Sequence, residues 1–179
     1  MKIVVAYATT EGQTRKVARF AADRLADAGH AVELLALGDA ADLDLTRFDA
    51  AILAGSVHGH RYQAALVAFA RAQAAALSAR PTLFLSLSLS AAGEDEEDWA
   101  GLRQVAESFF AETGWRPDRT EHVAGAFHFG EYDFFKAWVM RRIARDKGVQ
   151  VDPSGDTEFT DWAALGAALD EWSAARVGI

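Results

Sequence analysis

Residues 7 to 14 read "YATTEGQT" and follow an apolar run, Ile3-Val4-Val5-Ala6. Thr9, Thr10, Gln13 and Thr14 bring hydroxyl and amide donors around one glycine, Gly12, with hardly any charge. Backbone N–H groups near Gly12 add donors, and a helical pattern from Thr14 supplies a positive N-terminal end. Such a loop can hold a phosphate without a lysine. It can equally be a polar capping turn, and these eight residues alone leave both readings open. Glu11 would contribute only its backbone N–H, because its carboxylate repels a phosphate. Neither G-x-x-x-x-G-K nor G-x-G-x-x-G is present, so any ligand held here would end in a single phosphate.

Two more loops have a composition suited to a ligand. "GSVHGHRY", Gly55 to Tyr62, contains Ser56, Val57, His58, Gly59, His60 and Tyr62. "SLSAAG", Ser88 to Gly93, is small and polar, with Ser88, Leu89, Ser90 and Ala91 as candidate contacts. A flat aromatic ring fits between loops of this kind, its edge read by backbone N–H and C=O groups. His58 and His60 have no Cys, Asp or Glu at ligand spacing, so no metal site is expected. The glutamates and aspartates of "EDEED", Glu94 to Asp98, read as a solvated helix start, or as a docking patch in an electron carrier.

Positioning these loops requires a sheet. Apolar strand patterns at Lys2–Tyr7, Ala31–Ala36, Asp49–Gly55, Thr82–Ser88 and His122–Phe129 alternate with helical patterns at Thr14–Ala28, Tyr62–Leu77, Asp98–Thr113 and Asp161–Ala174. Thr160 is a candidate cap for the last helix. The alternation predicts an α/β fold, a doubly wound parallel sheet with helices on both faces. Ligands then sit beyond the carboxyl ends of the strands, near the switch point. The 179 residues fit one domain over 1–179, with an irregular stretch at about 130–159. Trp115, Trp162 and Trp172 read as core aromatics.

Composition narrows the function further. A net charge of −8 speaks against nonspecific nucleic-acid binding. With no cysteine there is no disulfide, thiolate metal site or cysteine nucleophile. No leader pattern is visible and no apolar run nears the ~20 residues of a membrane span. A cytoplasmic protein is expected. Within the irregular stretch, Phe134, Phe135, Trp138, Val139 and Ile143 share one half of a helical wheel. Arg141 and Arg145 flank that half, and Arg142 falls inside it. A basic amphipathic helix suits a membrane surface or an anionic ligand, or packs on its own domain.

The strand–"TTEGQT"–helix opening and the three loops resemble the flavodoxins. "GWRPDR" at Gly114–Arg119, "AGAF" at Ala124–Phe127 and "TDW" at Thr160–Trp162 are similar to the bacterial flavodoxin-type, menaquinone-linked protoporphyrinogen IX dehydrogenases. The resemblance implies FMN as cofactor and a five-stranded sheet in the order 2-1-3-4-5 with an insertion after the fifth strand. The cofactor-binding residues would be Thr9, Thr10, Glu11, Gly12, Gln13, Thr14, Ser56, Val57, His58, Gly59, His60, Tyr62, Ser88, Leu89, Ser90 and Ala91. It implies oxidation of a porphyrinogen with a membrane quinone as acceptor, chemistry centred on flavin N5, and no catalytic side chain. Trp138, Arg141, Arg142 and Arg145 would meet substrate or membrane, and in the membrane case the cytoplasmic protein would be peripheral on the inner face of the cell membrane. The alternative is a soluble flavodoxin that shuttles electrons between redox partners. Oligomeric state is not encoded in any of these motifs.

Overall fold

The computed structural model describes residues 1–10, 12–39, 43–127 and 157–175. Its sheet has five strands: β1 (Lys2–Tyr7), β2 (Ala31–Ala36), β3 (Ala50–Ser56), β4 (Thr82–Ser88) and β5 (Arg119–Ala124). They pair in parallel in the order β2-β1-β3-β4-β5. The apolar runs require this arrangement. Ile3, Val4, Val5 and Ala6 are all fully buried, so successive side chains on opposite faces both need cover.

Helices provide that cover on each face. On one side, α2 (Ala64–Ala72) and α4 (Glu96–Thr113) pack Leu66, Phe69, Phe109 and Phe110 against Val4, Leu53 and Phe84. On the other, α1 (Gln13–Asp27) and α5 (Trp162–Ala174) pack Val17, Leu25, Leu165 and Trp172 against Ile3, Val5 and Leu85. A short α3 (Ala74–Ser78) continues from α2. The helical pattern Tyr62–Leu77 is thus two helices rather than one. At Gln73 the backbone leaves helical geometry (φ −105°, ψ 12°), and its side chain donates to the Leu43 carbonyl at 3.4 Å.

Register sets where the strands stop. Tyr7 lies opposite both Ala36 and Ala54, Ser56 opposite Leu87, and Ser88 opposite Ala124. The chains that follow β1, β3 and β4 therefore leave the sheet at one edge. The fifth strand is shorter than the apolar pattern His122–Phe129 suggests at its far end. It ends where β4 ends: Gly125 N–H donates to the Ser88 carbonyl, and the Gly125 carbonyl accepts from Phe159 N–H. Beyond it, β6 (Ala126–Phe127) turns to pair antiparallel with β7 (Thr157–Glu158). The helix caps also differ from the sequence pattern. Asp95 accepts from Glu97 and Asp98 N–H, so α4 starts two residues earlier than expected. Asp161, not Thr160, caps α5 through the Ala164 N–H. No helix among the described residues is long and apolar enough to cross a membrane.

Candidate functional site

The first loop, between β1 and α1, is shaped by its own residues. Thr9 Oγ1 accepts the Gly12 N–H at 2.9 Å. Gly12 has φ 93°, a left-handed conformation that a side chain resists. It is also the residue before α1, so no side chain there caps the helix. Among the described residues, the N–H groups of the first turn are left facing the loop with the positive end of the helix behind them. Thr10 is exposed, while Thr14 is buried at the first turn.

Gln13 does something the sequence did not suggest. Its amide donates to Thr160 Oγ1 at 2.9 Å, and Thr160 in turn donates to the Ala124 carbonyl at 2.7 Å. Beside it, Glu158 accepts from Lys16 Nζ at 2.5 Å and from Trp162 Nε1 at 2.7 Å. Burial pushes the Glu158 carboxyl up, but hydrogen bonds from Lys16, Trp162 and Gln13 outweigh it and hold the group below its ordinary range. The first loop is thereby tied to the residues that follow β7. Of the donors chosen from sequence, Gln13 is committed to this architecture, while Thr9 enters it as an acceptor and keeps its hydroxyl hydrogen. Thr10, Thr14 and the first-turn N–H groups remain for a ligand. Glu11 lies outside the described residues.

The second loop is a tight hairpin. His58 N–H donates to the Arg61 carbonyl at 2.8 Å and Arg61 N–H returns to the His58 carbonyl at 3.1 Å. Gly59 (φ 55°) and His60 (φ 62°) form the tip, as a two-residue turn of the I′ kind requires. A non-glycine residue held there stores strain of about 1–3 kcal/mol. His58, Gly59 and His60 are exposed, and Ser56 and Val57 are half-buried. Tyr62 is placed elsewhere. It is 7% exposed, with its ring 5.2 Å from Phe84 and 4.9 Å from Phe109, in the aromatic core below the loop. Its hydroxyl meets Ser86 Oγ at 2.7 Å, and burial pushes the phenol up to about 12 against that hydrogen bond. A ring that fills the core is not offered as a stacking surface on the loop.

The third loop, after β4, is a single tight turn over Ser90–Ala92. Ser88 Oγ accepts from Ala91 N–H at 3.1 Å, and Leu89 and Ser90 carbonyls accept from Ala92 and Gly93. Trp99 pins the loop by donating Nε1–H to the Gly93 carbonyl at 2.7 Å, and its ring stands edge-on to His122. Burial, then the nearby Arg103, lowers the His122 pKa below the ordinary imidazole value. A separate cleft of about 770 Å³ lies beside the second loop between α2 and α4, lined in part by Arg61, Val67, Arg71 and Val105.

Sequence reasoning missed Gln63. Its side chain reaches Thr10 in the first loop and Ser56 in the second, with distances of 3.4 and 2.6 Å. The only signal for it was an amide next to a helix start. Trp138, Arg141, Arg142 and Arg145 lie outside the described residues.

The donor set suits a phosphate monoester: neutral hydroxyls, uncapped N–H groups and a helix end, with Lys16 neutralised by Glu158. Two compact loops of small and polar residues at the same edge suit a flat ring. FMN combines both parts. A parallel sheet of order 2-1-3-4-5, with the loops after β1, β3 and β4 leaving it at one edge, defines a flavodoxin-like protein. The model of the flavodoxin domain family matches residues 4–154, and the chain belongs to that family.

Among individual relatives, the chain is similar to the protoporphyrinogen IX dehydrogenase [quinone] of Escherichia coli (strain K12). The two are 25% identical over 162 residues, which cover 90% of this chain and 89% of the relative. It is 25% identical over 179 residues to the enzyme of the same name from Leishmania major, covering 99% of this chain and 77% of the relative. In fold it matches a flavodoxin from Streptococcus pneumonia TIGR4 with a TM-score of 0.56 at 15% identity, over 98% of this chain and 99% of the other. A Fusobacterium nucleatum flavodoxin mutant, bound to flavin mononucleotide, matches with a TM-score of 0.53 at 10% identity, over 97% and 93%.

Proposed function

We propose that the chain is an FMN-dependent oxidoreductase that oxidises protoporphyrinogen IX to protoporphyrin IX with a quinone as electron acceptor. The observation that carries the cofactor is the uncapped start of α1 beside Thr10 and Thr14, opening at the same sheet edge as the second and third loops. The names of the curated relatives, matched over nine-tenths of the chain, support the substrate and the acceptor.

Bound FMN would supply the redox chemistry, accepting electrons from a carbon donor and passing them on. The protein's part is to bind and to orient. Thr10, Thr14 and the first-turn N–H groups hold the phosphate. The hairpin tip at Gly59-His60 and the turn at Ser90–Ala92 present main-chain groups to the ring. Trp99 and the Tyr62–Ser86 pair fix those loops from beneath. No side chain of this chain is assigned an acid or base role. The basic pattern over 134–147, with Trp138, Arg141, Arg142 and Arg145, would face the porphyrinogen carboxylates or an anionic membrane surface from the cytoplasmic side.

A second reading is a soluble flavodoxin that only carries electrons. It is favoured by the acidic start of α4, where Glu94, Asp95, Glu96 and Glu97 are exposed next to the third loop. Anaerobic mixing of the FMN-loaded protein with protoporphyrinogen IX separates the two. Bleaching of the oxidised flavin band with matching growth of porphyrin absorbance supports the oxidoreductase. A flavin that stays oxidised under porphyrinogen, yet is reduced by a flavodoxin reductase, supports the carrier.

A further inference from the structure

The polar side chains between the first and second loops form one chain of hydrogen bonds with a fixed direction. Gln63, the residue before α2, stands at its centre. Its Oε1 accepts the Ser56 N–H at 3.2 Å. A backbone N–H is only ever a donor, so this contact fixes which end of the amide is oxygen. Nε2 then faces two hydroxyls, Ser56 Oγ at 2.6 Å and Thr10 Oγ1 at 3.4 Å. An amide nitrogen donates and does not accept. Both hydroxyl oxygens are therefore acceptors towards Gln63, and the single hydrogen of each must be donated away from it. For Thr10 that hydrogen belongs to an exposed residue of the first loop. For Ser56 the next polar atom is His58 Nε2 at 3.1 Å, towards the hairpin tip.

We infer that Gln63 is a positioning residue that sets Thr10 and Ser56 as hydrogen-bond donors, Thr10 towards an anionic group and Ser56 towards His58 in the hairpin, and so couples capture of the anion at the first loop to the ordering of a ring-binding hairpin at the second. This rests on the flavin reading of the site. An anion accepting the Thr10 hydrogen polarises that hydroxyl and makes its oxygen a stronger acceptor for Gln63. The 3.4 Å arm is the slack one, and it is the contact such an anion tightens. An amide held at that end holds the Ser56 N–H and hydroxyl in place at the other. The coupling is reciprocal, since it is a free energy shared by the two loops.

The two halves of FMN allow a direct test, because riboflavin and inorganic phosphate can be bound separately. Riboflavin fluorescence quenching is measured with saturating phosphate and with chloride at matched ionic strength. In the parent, phosphate should tighten riboflavin binding by at least about fivefold, and in Gln63→Leu and Ser56→Ala by less than about twofold. In chloride both variants should bind riboflavin no more tightly than the parent, and the phosphate gain is read as a ratio within each protein. Ser56→Ala removes one arm of the chain at a half-buried position, so it reports even where Gln63→Leu fails to fold. An equal phosphate gain in the parent and in Ser56→Ala overturns the coupling, as does no gain in the parent. A parent that binds neither riboflavin nor FMN overturns the flavin reading itself, and the coupling with it.

Discussion

At the scale of single residues, Thr10 and Thr14 bear most directly on the cofactor. Their hydroxyls are neutral donors beside an uncapped helix start, and an anion there is held by hydrogen bonds rather than by an ion pair. Hydrogen bonds to a charged group contribute about 1.5–3 kcal/mol each, so Thr10→Ala with Thr14→Ala should weaken FMN at least tenfold. Flavin titration checks this, and unchanged affinity would place the phosphate elsewhere. Tyr62 makes a contrasting prediction, because it lies below the site. Tyr62→Phe should keep the ring packing on Phe84 and Phe109 but lose the bond to Ser86, at about 1 kcal/mol of stability. The effect also has a pH signature. The folded protein keeps the phenol proton up to about 12, whereas the unfolded chain releases it near 10.0. Between those values the folded state binds the extra proton, so stability falls as pH rises. Denaturant unfolding from pH 9 to 12 should show a shallower alkaline loss in Tyr62→Phe than in the parent.

At the scale of elements, the approach of α2 to β3 sets the second loop. A Cβ on Gly55 would stand 2.3 Å from Leu66 Cδ2, so the fully buried Leu66 side chain must shift within the core to admit it. Gly55→Ala should cost about 1–3 kcal/mol through overpacking and push α2, with Gln63 at its start, off the strand. Thermal unfolding should register the loss and flavin affinity should fall with it. A variant that unfolds and binds like the parent would show that the contact relaxes freely.

The strands and helices were legible in the residues because each carries a strong period or an unbroken apolar run, as in Ile3 to Ala6 and in "TLFLSLS". The sheet order followed from family resemblance rather than from periodicity. What was not legible depended on contacts distant in the chain. Gln13 meets Thr160 across 147 positions, and Gln63 meets Thr10 across 53. Nothing local marks either amide as spoken for. Tyr62 closes "GSVHGHRY" and opens the helical pattern, so sequence alone offers it either to a ligand or to the core; its ring packs inward on the stacked Phe84 and Phe109, a contact that only the packed sheet creates.

At the scale of the whole molecule, an acidic protein of net charge −8 carries a basic amphipathic pattern at Lys136, Arg141, Arg142, Arg145 and Lys147. This contrast is where substrate or membrane recognition is proposed to reside. Replacing Arg141, Arg142 and Arg145 by Gln should leave the flavin spectrum intact. It should weaken binding to anionic liposomes, at about 1 kcal/mol per basic residue lost, or raise the Michaelis constant for the porphyrinogen. Either loss should shrink at high salt. A triple variant that matches the parent in both assays would leave that segment a structural role only.

The central claim, that this flavodoxin-family chain is a porphyrinogen-oxidising enzyme, is tested most directly by steady-state turnover in the absence of oxygen. Protoporphyrinogen IX and a soluble menaquinone analogue are supplied to the purified protein, and porphyrin fluorescence is followed. Fluorescence should rise only when FMN and quinone are both present, continue over many turnovers per protein molecule, and fall in proportion to FMN occupancy in the Thr10→Ala, Thr14→Ala double variant. A fully FMN-loaded protein that yields no porphyrin with quinone, while still passing electrons between a reductase and an acceptor protein, would contradict the claim and leave an electron carrier.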